Sequence, residues 1–231
     1  TKRFLKMSEL KLIINNIYQY IRNINLLYTT YLFIKRDTRL LNEKTDLVIE
    51  GFPRSGNSYL LAFIQVVSKK KLKISSHTHK ISNIFNSIKK NLKLIILIRD
   101  PINTIVSNYI YYNKNRDINH LLRLYLSYYE SLLKIQRNKK IIFFDFRKIN
   151  NNKYIFNILN KLKISRQKKI KKLSLKVLKR YDQNSIFWAN EVDAKSFHHK
   201  KKNKFNKKII KKKIRNNKVL LEQCNILYKK I

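Results

Sequence analysis

The sequence predicts an α/β protein of three layers, with a central, mostly parallel sheet flanked by helices. Two patterns carry that expectation. Short apolar runs rich in β-branched residues alternate with helical stretches, as in successive βαβ units. Those runs are also apolar throughout rather than every second residue, which fits strands covered by helices on both faces. With 231 residues, 44% of them hydrophobic, the chain can bury one such core, and wholesale disorder is excluded.

Residues 4–34, at the start of the chain, read as helical, because Leu5, Leu10, Ile13, Ile14, Ile17, Tyr20, Ile21 and Ile24 recur at three- and four-residue spacings. Asp46–Glu50 is a strand that runs straight into Gly51-Phe-Pro-Arg-Ser-Gly-Asn-Ser58. Tyr59–Val67 carries apolar residues on every side, as a buried helix does. Leu72–Ser76 is a second short strand ending at His77-Thr-His79, and residues 80–90 are helical. Leu92–Ile98 is the strongest strand. Asp100 and Pro101 then open a helix as N-cap and first-turn residue. A further helix covers about 118–137, and Lys140–Asp145 is another strand. The remainder reads as helical and increasingly basic: residues 161–180 hold ten Lys/Arg and no acid. The whole, 1–231, is expected to be one domain. Its motif-bearing core lies at about 45–162 and its basic helical part at 163–231.

Composition limits the function classes. The single cysteine, Cys224, excludes an internal disulfide framework and a cysteine-based zinc site. No apolar run approaches the roughly 18 residues of a membrane span. A cytoplasmic protein is expected, with a membrane-peripheral position as the variant. The chain begins at Thr1 rather than Met, which leaves an upstream segment open. The net charge of +40, from 53 Lys+Arg against 13 Asp+Glu, points by itself to a polyanion such as nucleic acid. However, Lys, Asn, Ile, Tyr and Phe are all abundant while Gly and Pro occur twice each, the pattern of an A+T-rich coding bias. Lysine is therefore weak support for dedicated nucleic-acid binding.

The same bias makes the exceptions informative. Both glycines, Gly51 and Gly56, and one proline, Pro53, fall within six consecutive residues, and Pro101 follows Arg99-Asp100. Strand, then Gly51-x-x-x-x-Gly56-Asn57-Ser58, then helix is the layout of a P-loop-like, phosphate-cradling turn. In the nucleoside-triphosphatase form of that motif a Lys follows the second Gly and reaches the outer phosphates. Here Asn57 stands in its place and the basic residue is Arg54, inside the loop. A magnesium-triphosphate kinase is thus a strained alternative, as is a basic nucleic-acid-binding module. The strand Leu92–Ile98 would deliver Arg99 to a strand end, and the helix from Pro101 would carry Ser107 two turns along. Both could then grip a further phosphate.

Together, Gly51-Phe-Pro-Arg-Ser-Gly-Asn-Ser-Tyr59 and Ile98-Arg-Asp-Pro-Ile-Asn-Thr-Ile-Val-Ser107 resemble the two nucleotide motifs of the sulfotransferase family. These enzymes transfer a sulfuryl group from 3′-phosphoadenosine 5′-phosphosulfate (PAPS) to an acceptor hydroxyl. The likeness covers 46–112, and extends through Ile141-Ile-Phe-Phe-Asp-Phe-Arg147 and the helix after it. It implies that the Ser55, Gly56, Asn57 and Ser58 backbone amides, with the Ser58 hydroxyl, bind the 5′-phosphate. Arg54 takes the place of the family's loop Lys and meets charge on the leaving phosphate, while Arg99 and Ser107 hold the 3′-phosphate. The family often places its base, a His, between the motifs; His77 and His79 both fall there, and either fits. His120, His198 and His199 read as surface residues. No metal is implied. The expected partners are the nucleotide donor and a hydroxyl-bearing acceptor (glycan, lipid or small molecule).

Overall fold

The computed structural model describes residues 41–111, 117–167 and 204–231. In chain order these form β1 (Leu47–Gly51), α1 (Asn57–Val67), β2 (Ile74–Ser76), α2 (Ile81–Lys89), β3 (Leu94–Ile98), α3 (Pro101–Tyr111), α4 (Ile118–Leu133) and β4 (Ile141–Asp145). Beyond β4 come a 3₁₀ turn (Phe146–Lys148), α5 (Asn152–Lys161), α6 (Lys204–Asn216) and α7 (Lys218–Lys230). The four strands pair in the order β2-β1-β3-β4, every pair parallel. The α/β expectation holds.

Continuous apolar strands are buried on both faces because each face has its own helices. On one side Val48, Leu94, Ile96 and Ile98 pack with α2, α3, α4, α6 and α7 residues such as Ile84, Ile105, Tyr129, Ile214 and Cys224. On the other, Leu47, Ile49, Ile95 and Leu97 pack with α1 and α5 residues such as Leu60, Phe63, Ile155 and Leu159. Two apolar layers around one sheet give the three-layer stack. Buried Leu, Ile and Phe side chains there stabilise it by roughly 1.5–3 kcal/mol each. Ile210, Ile214, Leu221 and Leu227 join the first of these layers, so the basic C-terminal helices bury an apolar stripe while Lys207, Lys208, Lys212, Lys213, Lys218, Lys229 and Lys230 stay exposed.

Local chemistry sets the element ends. The Asp100 carboxylate accepts from Asn103 N–H at 2.8 Å, which is the N-cap expected for α3. Asp117 caps α4 through His120 N–H, and Asn151 caps α5 through Tyr154 N–H. Strand β3 begins at Leu94 rather than Leu92, and α4 stops at Leu133 instead of continuing to 137. The helical reading of the C-terminal part fails at 162–167: α5 ends in a turn, and Arg166 forms an antiparallel bridge with Ser68. The helix expected at 4–34 and the basic stretch 168–203 lie outside the described residues. No described helix is long and apolar enough to cross a membrane.

Candidate functional site at the carboxyl ends of the strands

Every strand in a parallel sheet points its carboxyl end the same way, so the segments that leave β2, β1 and β3 are gathered at one edge. Here those are His77–His79 after β2, Gly51–Asn57 after β1, and Arg99 after β3.

The loop after β1 is shaped by close approach. A Cβ on Gly51 would lie 2.8 Å from the Leu97 carbonyl oxygen and 2.9 Å from Asn57 Oδ1, so only glycine lets the loop fold onto β3. Gly56 caps α1 at φ 102°, and a Cβ there would meet the Phe146 ring at 2.7 Å. Between them Ser55 N–H bonds the Phe52 carbonyl in a tight turn at 3.1 Å. The helix that begins at Asn57 has no acidic residue in its first turn. First-turn N–H groups have no partner within their helix, and its dipole adds positive potential there. The arrangement favours an anion.

Arg54 and Arg99 meet above this loop. Arg99 donates from Nη1 to the Arg54 carbonyl at 2.7 Å, and Arg54 Nε lies 3.3 Å from Ser107 Oγ on α3. Each guanidinium stacks on a ring, Arg54 on Tyr111 at 4.5 Å and Arg99 on Phe146 at 4.1 Å. Partial burial lowers the pKa of Arg99; the neighbouring Asp100 opposes that lowering and the charge of Arg54 adds to it. Two cations pressed together in this way gain from an anion between them. Two tyrosines of α4 hold the Arg99 backbone: Tyr125 O–H donates to its carbonyl at 2.7 Å, and its N–H reaches Tyr129 Oη at 3.4 Å. Burial drives the Tyr129 pKa up to about 12 and Tyr125 higher still, so both remain protonated.

The two histidines are turned into the site differently. Ser58 Oγ lies 2.7 Å from His77 Nε2, joining the first turn of α1 to the segment after β2. His79 Nδ1 lies 2.7 Å from the Gly51 carbonyl oxygen, which can only accept. The proton of a neutral His79 ring is therefore on Nδ1 and the lone pair on Nε2. With Nδ1 a donor, the 3.4 Å approach of Asn57 Nδ2 to the same atom is a contact rather than a hydrogen bond. Asn57 itself is 4% exposed and turned back toward β1. It does not project outward as the Lys of a triphosphatase loop does.

Arg54, Ser55, Gly56, Asn57, Ser58, His77, His79, Arg99 and Ser107 are thus brought to one edge. Three residues of the same edge escape sequence reasoning. Glu50 is 0% exposed and accepts from Thr78 and His79 of the histidine segment. Phe146 fills the space that makes Gly56 necessary and carries Arg99 on its face. Tyr125 fixes the Arg99 carbonyl. A charged residue directly after the apolar run Leu47–Ile49 was the available sign for Glu50. Phe146 and Tyr125 left none in the sequence. Among the described residues no group of three or more His, Cys, Asp or Glu has a metal-binding arrangement.

No protein-family model matches the chain, and no curated protein matches it in sequence. Its structure is similar to the crystal structure of mouse sulfotransferase SULT7A1 complexed with PAP, at 15% identity and a TM-score of 0.44. The matched part covers 64% of this chain and 68% of that one.

Proposed function

We propose that the protein is a sulfotransferase that moves a sulfuryl group from PAPS to an acceptor hydroxyl by in-line displacement. The observation that carries the reading is the convergence of both expected phosphate motifs and a histidine at adjacent strand ends, joined by direct contacts. Those contacts are Arg54–Ser107, Arg99–Arg54, Ser58–His77 and His79–Gly51. The residues present fit a nucleotide with two separated phosphates. Gly56, Asn57 and Ser58 at the start of α1 supply amides for one; the half-buried Arg99 supplies a cation for the other, and Arg54, which accepts from Arg99, links it to the Ser107 hydroxyl.

In this reading the donor supplies the sulfuryl group and the protein does the rest. His79 takes the proton of the acceptor hydroxyl at Nε2, its Nδ1–H remaining on the Gly51 carbonyl so that the ring is held while its charge changes. His77 orients the Ser58 hydroxyl toward the 5′-phosphate. Arg54 and the amides of Gly56, Asn57 and Ser58 meet the charge that develops on the leaving phosphate, the Ser55 N–H being taken by the Phe52 carbonyl instead. Arginine does not give up a proton near neutrality, so the contribution of Arg54 is electrostatic.

The test is a calorimetric titration with adenosine 3′,5′-bisphosphate, using AMP and ATP–magnesium as controls. Binding that needs the 3′-phosphate and weakens in Arg99→Ala is expected. Arg54→Ala should slow turnover more than it weakens binding. Equal affinity for AMP, or preference for ATP–magnesium, would overturn the reading and return the loop to the kinase class.

A further inference from the structure

We propose that Glu50 is a positioning residue for His79: it fixes the segment 77–79 in the one conformation that presents the imidazole to the site. The inference deepens the reading above and rests on His79 as the base.

Glu50 stands in a strand whose preceding residues are apolar, and its carboxylate is completely buried. Burying a carboxylate is costly unless hydrogen bonds compensate for lost water. Four donors do so here. Oε1 accepts from Thr78 Oγ1 at 2.6 Å, Asn83 Nδ2 at 3.0 Å and Thr78 N–H at 3.2 Å; Oε2 accepts from His79 N–H at 3.0 Å. Three of the four belong to the histidine segment, and the fourth, on α2, braces the helix after it.

That segment would not hold itself. His77 has φ 66° and His79 φ 54°, both left-handed and neither a glycine. Such conformations persist only where surrounding groups over-determine them. Glu50 supplies the restraint through the backbone, while its neighbour Gly51 accepts Nδ1–H of the ring. Consecutive residues of β1 therefore grip His79 by main chain and by side chain. Because β1 also leads into the phosphate loop, the base and the loop are tied to one rigid strand. Burial raises the pKa of the Tyr128 phenol on α4, and the charge of Glu50 raises it further. A residue serving the core alone would leave the ring of His79 indifferent to its removal.

The tautomer of His79 reads this directly, without any activity. Long-range ¹H–¹⁵N correlation spectra of the full chain, with His77→Gln and His79→Gln used for assignment, should show neutral His79 as the Nδ1–H form. Glu50→Gln keeps the shape but turns an amide NH₂ against donors. In it, the Nδ1–H form of His79 should fall from dominant to minor while affinity for adenosine 3′,5′-bisphosphate is retained. An unchanged His79 tautomer in folded Glu50→Gln overturns the proposal. If that variant does not fold, Asn83→Ala removes a single donor and should move the His79 signals in the same direction; signals identical to the parent overturn it. The parent protein's bisphosphate titration separates the two ideas. No binding there, with the tautomer lost in Glu50→Gln, sinks the sulfotransferase reading and leaves the positioning role standing.

Discussion

The two ends of the sheet use the same unusual backbone conformation for different reasons. At the amino ends of β3 and β4, Asn91 (φ 56°) and Lys163 (φ 52°) are left-handed residues just past helix termini. Leu92 N–H bonds the Ser87 carbonyl and Asn91 N–H bonds Ile88; Ile164 N–H bonds Leu159 and Lys163 N–H bonds Asn160. These are the paired hydrogen bonds of a Schellman motif, so helix termination accounts for both residues. At the carboxyl ends Arg54 (φ 71°), His77 and His79 are left-handed where no helix ends. The histidine segment is held by the network around Glu50 and the bonds to Gly51 and Ser58. The difference separates strain set by local chain geometry from strain maintained by distant side chains, and the second kind gathers at functional sites.

The largest effect that would break this comparison lies in His79. His79→Ala should lower turnover of PAPS by about 10²–10⁴-fold, the range for loss of a general base, with affinity for adenosine 3′,5′-bisphosphate unchanged. Release of the bisphosphate product measures the first and calorimetry the second. If His77→Ala were the more damaging of the two, the base would be His77 and the tautomer argument would fail.

Next is Gly56. Gly56→Ala must accept φ 102° and a Cβ 2.7 Å from the Phe146 ring, costing about 2–4 kcal/mol in denaturant unfolding from strain and overpacking together. Combining it with Phe146→Leu should recover the overpacking part and leave the strain. A fully additive double mutant would mean that Phe146 does not press on this turn.

Glu50 gives a smaller, pH-dependent signature. Burial raises its pKa from 4.5 to about 7, against the lowering effect of its four hydrogen bonds. The folded state then holds the proton more tightly than the unfolded one, so this contribution is fully present below about pH 4.5. It is lost as the pH rises through about 7. Between pH 5 and 8 the parent should lose on the order of 2 kcal/mol relative to Glu50→Gln, at roughly 1.4 kcal/mol per unit. Parallel stability curves for the two proteins would show that Glu50 titrates near its ordinary value.

How much of this was legible in the sequence depends on where each signal resides. The strands Leu47–Gly51 and Leu94–Ile98 and the loop between Gly51 and Ser58 could be read because apolar continuity and glycine placement are local properties. Arg99 and Ser107 could be read because spacing along one strand–helix unit fixes them. Glu50 left only its charge after an apolar run as a sign and its role could not be read, since its partners Thr78 and Asn83 lie 28 and 33 residues away and meet it only when β2 lies beside β1. Phe146 depends likewise on β4 joining the edge of β3. That His79 rather than His77 turns its Nδ1 to the Gly51 carbonyl is a matter of side-chain rotamer that no spacing encodes.

The smallest effect sharpens the comparison from its other side. If Asn91 and Lys163 are left-handed only because helices end there, glycine should be better at both positions. Lys163→Gly should gain up to about 1 kcal/mol, since a long side chain tolerates this conformation poorly. Asn91→Gly should gain less, because asparagine already adopts it readily. Neither should alter bisphosphate affinity, both being at the opposite end of the sheet from Arg99. His77→Gly relieves the same strain yet removes the bond to Ser58, so any gain in stability there should come with weaker nucleotide binding. Equal, purely stabilising effects at all three positions would mean that the left-handed histidine is a turn like the others, and that its strain serves nothing.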